Sequence, residues 1–484
     1  MKTGFAEKDI TPPVGTERAG AYRKLYIKEK RDTIKARASV FDDGRNFVVF
    51  VGVDCCLIGR NTVKAVRKMI SESCGIKPEN IMIAASHTHS GGSLWGFRPD
   101  ELVNAPELIK KLALEISPSV DIAYEKIVIN GIHEAVKEAF DNRKEHLFSI
   151  GRGFEGAAVF NRRFRMKNGE SWTHPGKGNP DIIEPAGPID PEVGVLGAWT
   201  NDGKLSGCIV NYTCHGTAFS GMNASADWIS AMEKTIRGAF SQDAVVVFLN
   251  GACGDITQVD NIGLRKNNTP DEWVDIVGKR VGAEAVKVLV SSEKGAFQTV
   301  SAITEKLRVK RRISNRKKTE EAFRIANDFL GNVSEEQPMS DDFIWAKERI
   351  LADYLNSVEP EREFEVQAIQ VGPAVFMANP SEYFCSLGLD IKKSCPNVPF
   401  PFVVELANDI IGYIPDEEAF SSKGGGYETR LTSYSNLEIS TGRKIADASI
   451  RLSGKMKPDK VPSAPLIEKA GSPWGYGNKP PETE

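Results

Sequence analysis

The sequence predicts an α/β protein, one large domain with a mixed β-sheet core flanked by helices and a metal site at strand ends. Three observations predict it. Apolar, β-branched runs alternate with amphipathic helical stretches through the first half of the 484 residues. The most apolar run, Asn46 to Leu57 (NFVVFVGVDCCL), has too little polar character to face water on either side, so it reads as a central strand. Histidines follow directly on two of the apolar runs, where a site can open without disturbing a core.

The elements follow in order. After the central strand, residues 60–73 are expected to be helical, and Ile81 to Ala85 (IMIAA) is a short buried strand. A long helix is expected over about 119–141, where Ile122, Ile127, Ile129, Ile132, Val136 and Ala139 recur at roughly helical spacing. Strands are read at 147–151, 193–199 and 206–212, a helix at 226–240, a strand at 244–249 and a helix over 271–290. An extended segment at 296–311 leads into a highly charged helical stretch, about 316–358, packed on the outside. Strands return at 363–371, 373–378 and 400–407, with a helix after Glu382 and another within 436–452. Residues 1–456 are read as the catalytic domain, and 457–484, rich in Pro, Gly and Lys, as an irregular tail.

Composition narrows the function. Hydrophobic residues make up 41% and charged residues 26%, a globular balance. A net charge of −3 offers no basic face for nucleic acid. The basic run at 305–318 (EKLRVKRRISNRKK) is followed by acidic stretches and reads as a solvated helix surface. The N-terminus has no signal-peptide core and no run reaches membrane-spanning length, so a cytoplasmic protein without membrane insertion is expected. Eight cysteines without a CxxC pair are expected to be free and buried. The expected partner is a small-molecule substrate, and the sequence leaves a homo-oligomer open.

The chemistry sits with the histidines, of which there are six. SHTHSGG (86–92) follows IMIAA, and in extended chain residues i and i+2 share a face, so His87 and His89 can address one volume. The glycines behind them allow close approach by a ligand or metal. NYTCHGT (211–217) places His215 in the same way after another strand. Imidazole is the commonest metal ligand near neutral pH, and zinc takes nitrogen and oxygen donors tetrahedrally. His133 and His146 read as structural, and His174 as a loop residue able to reach substrate. NGACGDITQVDN (250–261) could present Asp255, Thr257 and backbone N–H groups to a developing oxyanion or a metal-bound histidine. GRGFEG (151–156) matches a dinucleotide fingerprint, but no helix start or ribose-binding acid follows, and that function is set aside.

Taken in order, these motifs resemble the neutral (alkaline, non-lysosomal) ceramidase family. SHTHSGG is similar to its THTHSGP segment, NRRF (161–164) to its Asn-Arg segment, and NYTCHGT to its second histidine segment. GDITQ resembles its GDxSPN motif, NPSEYF (379–384) its PGE segment and GYETRLTSY (426–434) its YEGxSTxY stretch. The resemblance covers roughly residues 1–450 and concerns the catalytic domain only; the family's secreted members carry a C-terminal β-sandwich for which this sequence leaves no room.

What the resemblance implies is one Zn2+ per chain, held by His87, His215, Glu382 and Tyr427. His89 would lie just beyond it and polarise the substrate carbonyl, with Arg162 and Tyr434 contacting oxyanion or substrate. The implied reaction is amide hydrolysis by zinc-activated water, with His89 or Asp255 protonating the leaving amine. Thr257 stands at the family's serine, Gln258 at its proline and Ser381 at its PGE glycine. With no lipid-facing signal in the sequence, a soluble N-acyl compound is expected as substrate rather than membrane ceramide. Ester or lactone hydrolysis, a two-metal phosphoesterase using Asp255 or Asp54, and a non-catalytic metal-binding protein remain open.

Overall fold

The strand runs are distributed over three separate mixed sheets in the computed structural model, which describes residues 1–219, 221–264, 268–331, 339–464 and 479–484. The first has the order Ile81–Ala85, Phe47–Val53, Lys35–Asp42, Lys2–Asp9, Lys144–Glu145. The second runs Val245–Asn250, Leu205–Tyr212, Glu192–Trp199, Leu147–Phe154. The third runs Val300–Lys310, Glu361–Val371, Ala374–Ala378, Phe400–Val404. In each, the only parallel pairing lies at one edge: 81–85 with 47–53, 205–212 with 245–250, and 374–378 with 400–404.

Burial on both faces explains the continuous apolar runs. From the strand Phe47–Val53, Val49, Val51 and Val53 pack against Val63, Val66 and Ile132 of the covering helices Arg60–Cys74 and Ile122–Asp141. Val48 and Phe50 turn the other way, into a core shared by all three sheets through Phe148, Ile209, Ile369 and Phe376. Each such side chain contributes about 1.5–3 kcal/mol on full burial. Helices Trp228–Ala239 and Pro270–Ser291 cover the second sheet, and Cys385–Lys393 and Thr441–Ser453 the third. All eight cysteines are free and buried.

Several expectations need correcting. The core is three sheets where the sequence suggested one, because the inner edges are taken by a kinked segment instead of a further strand. Ala85 N donates to Leu406 O, Asn408 N to Ile83 O and Glu405 N to Asn250 O, while Leu406 and Asn408 adopt positive φ (52° and 69°). The long helix begins at Ile122 and not 119, since the Asp121 side chain caps Ala123 N and Tyr124 N. Strands Lys2–Asp9 and Lys35–Asp42 were hidden by their charged residues. Arg37 is buried between Asp54 and Glu233, so polarity there does not report exposure. The basic run is half strand: Lys306 and Arg308 pair with Glu363 across the third sheet, and only the part from Arg316 is helical.

The charged stretch forms two helices, Arg316–Gly331 and Asp341–Val358. They pack through Ala322, Ala326, Phe343 and Ile350 on Leu102, Ile109 and Leu112, an apolar cluster separate from the central core. Of the tail, 457–464 has no regular structure and 465–478 lies outside the described residues. No helix among the described residues is long and apolar enough to cross a membrane.

Candidate active site

The carboxyl ends of the parallel pairs converge, as ligand-binding crevices do in sheets of this kind. From them emerge Cys55 and Cys56, His87 and His89, His215, the turn Gly251–Thr257, the segment Asn379–Glu382, and Glu405. The two histidine loops are joined directly. Thr88 bridges Gly216, and His89 N donates to Gly216 O at 3.0 Å. A Cβ on Gly216 would lie 2.6 Å from the His87 carbonyl oxygen, so only glycine permits this approach.

His87 and His89 do address one volume, with ring centroids 4.8 Å apart, but not through extended chain. His87 has φ +68°, a left-handed conformation rare for a side chain of its size. The glycines behind serve packing within the chain: a Cβ on Gly92 would strike the Tyr124 ring at 2.3 Å.

His87 Nδ1 lies 2.9 Å from the Cys56 carbonyl oxygen. A carbonyl can only accept, so Nδ1 carries a proton and Nε2 is the atom turned toward the site, the orientation typical of a metal-ligating imidazole. That Nε2 is 3.2 Å from Glu382 Oε2, and His215 Nε2 is 3.7 Å from the same oxygen. Both His87 Nε2 and Glu382 Oε2 are buried and without a hydrogen-bond partner. Buried polar atoms are rarely left so, and two of them directed at one point fit a cation between them. His87, His215 and Glu382 place one ligand atom each within 4.8 Å of the others, a nitrogen and oxygen set suited to zinc.

The electrostatics match. Burial pulls the His87 imidazole down, but the Glu382 carboxylate and Cys56 together outweigh it and hold His87 well above its ordinary range. His215 is pushed well below by burial and then Arg162, and His89 by burial and then His87. Without a cation the cluster favours one positive charge, on His87. Glu405, fully buried at the junction of the sheets, is raised by burial to about 8 and accepts from Cys253 N and Tyr383 N.

A cavity of about 140 Å³ opens on the cluster, lined by His87, His89, Glu382, Tyr413, Tyr427 and Tyr434. His89 Nδ1 is 3.3 Å from Gly20 O, which leaves Nε2 free and unpartnered. The Tyr434 hydroxyl is likewise buried without a partner. Tyr427 OH lies 3.0 Å from Tyr413 OH. Each nitrogen of Arg162 has a partner: Nε donates to Glu428 Oε1 at 2.9 Å, Nη2 to Gly254 O at 2.7 Å and Nη1 to His215 Nε2 at 3.0 Å.

Asp255 and Thr257 lie outside the lining of this cavity. Asp255 accepts from Cys385 N at 2.8 Å and Asn161 Nδ2 at 2.7 Å, and burial raises it to about 6. The Thr257 hydroxyl bonds Gln258 Oε1 at 3.4 Å. His133 and His146 bond Ser73 and Ser206 away from the site. His174 donates its backbone N–H to Arg162 O, and burial lowers its ring to about 4. Sequence reasoning passed over Gly20, Tyr22, Tyr413 and Glu428. Only Glu428 sat inside a quoted motif; for Gly20, whose Cβ would meet the His89 ring at 2.4 Å, the sole signal was its glycine identity.

Fold and site together define a mixed α/β protein with a buried His-His-Glu cluster at the carboxyl ends of parallel strands. No family model matches the chain. It is 26% identical over 227 residues, 46% of its length, to the neutral ceramidase of Pseudomonas aeruginosa, and the match spans 31% of that relative. A crystal structure of neutral ceramidase from Pseudomonas aeruginosa superposes with a TM-score of 0.66 at 16% identity, covering 96% of this chain and 76% of that one. A ceramidase complexed with C2 gives 0.68 at 16% identity, covering 96% and 77%. The chain is similar to neutral ceramidase over part of its sequence and in its fold.

Proposed function

We propose that the chain is a zinc-dependent hydrolase of amide bonds acting on a soluble N-acyl compound, with His87, His215, Glu382 and Tyr427 holding the ion. The observation that carries this reading is the pair of buried, unpartnered atoms, His87 Nε2 and Glu382 Oε2, 3.2 Å apart beside His215. Zinc bound there would supply an activated water and polarise the scissile carbonyl. His89 stays neutral, its pKa depressed by burial, so its free Nε2 can take a proton from the water and pass it to the leaving amine. The Tyr434 hydroxyl, with no other partner, donates to the carbonyl oxygen as charge develops there. Arg162 Nη1, 3.0 Å from His215 Nε2, would orient that ring from behind the site.

The same constellation serves an ester or lactone. The two acids that the two-metal phosphoesterase reading would use are already engaged: Asp54 is paired with Arg37 at 2.7 Å, and both Asp255 oxygens are occupied. The test is hydrolysis of a mixed panel by zinc-loaded and chelated protein. The panel holds polar N-acyl compounds, lactones, a phosphodiester and a short-chain ceramide in detergent. Cleavage of polar amides, lost on chelation and restored by zinc, supports the reading; release of fatty acid from the ceramide alone would remove the soluble-substrate part. Activity unaffected by chelation would remove the metal.

A further inference from the structure

A larger cleft of about 540 Å³, a size typical of small-molecule sites, adjoins the cavity over the histidines. Tyr22, Trp95, Pro118 and Tyr434 line both, so the two lie side by side and share these residues as a wall. Its outer wall comes from the helix Asp341–Val358 and the start of the third sheet's second strand, and its chemistry is mixed. Glu348, Glu359, Arg311 and Arg362 lie in that wall beside the aromatic faces of Trp95, Phe97 and Tyr354.

These charges are held in place by each other. Arg311 pairs with Glu359, Arg362 with Asp409 at 2.9 Å, and Glu348 with Lys347 at 2.7 Å. The pairs fix the side chains without using all their N–H groups and oxygen lone pairs. Leu102, Leu355, Val358, Ile410 and Ile411 line the same cleft, but an alkyl tail laid along the charged wall would take water from these groups and return no hydrogen bonds, at a cost of about 1–3 kcal/mol for each group stranded. A singly charged ligand would meet both signs. A hydroxyl both donates and accepts, so it satisfies carboxylate and guanidinium alike. The aromatic side chains supply flat surfaces for the C–H face of a ring bearing such hydroxyls.

We infer that this cleft binds a neutral, hydroxyl-rich group such as a sugar ring, which makes an N-acylated amino sugar the substrate class of the adjoining centre. The link to the substrate rests on the hydrolase reading above; the binding does not. The test pairs binding with turnover in the full chain. Calorimetry is run with cellobiose, which has no amide to cleave, and with N,N′-diacetylchitobiose. Hydrolysis by zinc-loaded protein is measured on the latter and on N-acetylhexylamine.

Both sugars are expected to bind, with Tyr354→Ala and Glu359→Gln each weakening binding at least tenfold. In turnover, those variants should raise KM for the sugar by the same factor, leave its kcat unchanged, and leave KM for N-acetylhexylamine unchanged. Glu359→Gln keeps the shape of the side chain, so it reports on recognition should Tyr354→Ala fold poorly. Sugar binding without hydrolysis of either amide leaves the cleft assignment standing and removes the hydrolase reading. Failure of both sugars to bind, with N-acetylhexylamine cleaved, overturns the cleft assignment alone.

Discussion

Two turns leave the carboxyl ends of parallel strands carrying similar residues, yet they end in opposite states. In Ser86–Gly92, the Nε2 atoms of His87 and His89 are buried and unpartnered. In Gly251–Asn261, the polar groups are satisfied within the protein: Asp255 by Cys385 N and Asn161, Cys253 by Glu405, Gln258 by Thr217. Both turns read as chemistry in the sequence. The difference teaches that a motif shows where polar groups are placed, and that of these two buried turns the one with unmet hydrogen bonds is the one open to a ligand.

The sharpest way to break this comparison is to empty the first turn's cluster. Glu382→Ala or His87→Ala is expected to remove bound zinc, read by elemental analysis, and to lower kcat/KM by at least about 10³-fold, more than loss of a single oxyanion donor. Retention of metal and activity in Glu382→Ala would show that the ion sits elsewhere. A related outcome is thermal: zinc at 100 times its Kd should add about 2.7 kcal/mol to wild-type stability and nothing to Glu382→Ala.

Tyr434→Phe removes one unpartnered hydroxyl from the cavity and is expected to lower kcat about 10²-fold with little change in KM. A change confined to KM would make Tyr434 a binding residue only.

Asp255→Asn tests the satisfied turn. It sets an amide N–H₂ against one of two N–H donors, which should cost about 1–3 kcal/mol of stability in chemical denaturation while kcat stays near wild type. A large fall in kcat with unchanged stability would return Asp255 to catalysis. The pH dependence carries the same information. Asp255, Asp54 and Asp227 are each raised by burial to about 6, above their unfolded value of 3.8. The folded state therefore holds protons that the unfolded state has released, and the contribution, present in full below pH 3.8, is lost as pH rises through about 6. Stability from these groups should fall over that window, and Asp255→Asn should make the fall shallower. Thr257→Ser, which keeps the hydroxyl bonded to Gln258, is expected to stay within about 0.5 kcal/mol of wild type.

Much of the fold was legible because its strands are buried on both faces or covered by amphipathic helices. Ile81–Ala85, Leu205–Tyr212 and the helix Pro270–Ser291 announce themselves through apolar content and periodicity. Lys2–Asp9 and Lys35–Asp42 did not, because Glu7 in the first is paired with Lys35 and Arg237, and Lys35 and Arg37 in the second with Glu233 and Asp54. At the site, His87 and His215 stood out as rare residues at strand ends. Glu382 and Tyr427 came only by resemblance, and Gly20, Tyr22 and Tyr413 by neither route.

By itself the sequence determined the α/β class, the positions of most elements and the histidine pair of strand-end loops, since hydrophobic period and residue rarity are local properties. Tertiary structure decided that the core strands divide among three sheets and that His87 turns through positive φ. It also decided that Glu382 meets the histidines while Asp255 is tied to Cys385 and Asn161. Those outcomes depend on which distant backbone and side-chain groups satisfy one another across 300 residues, and no local pattern encodes that pairing.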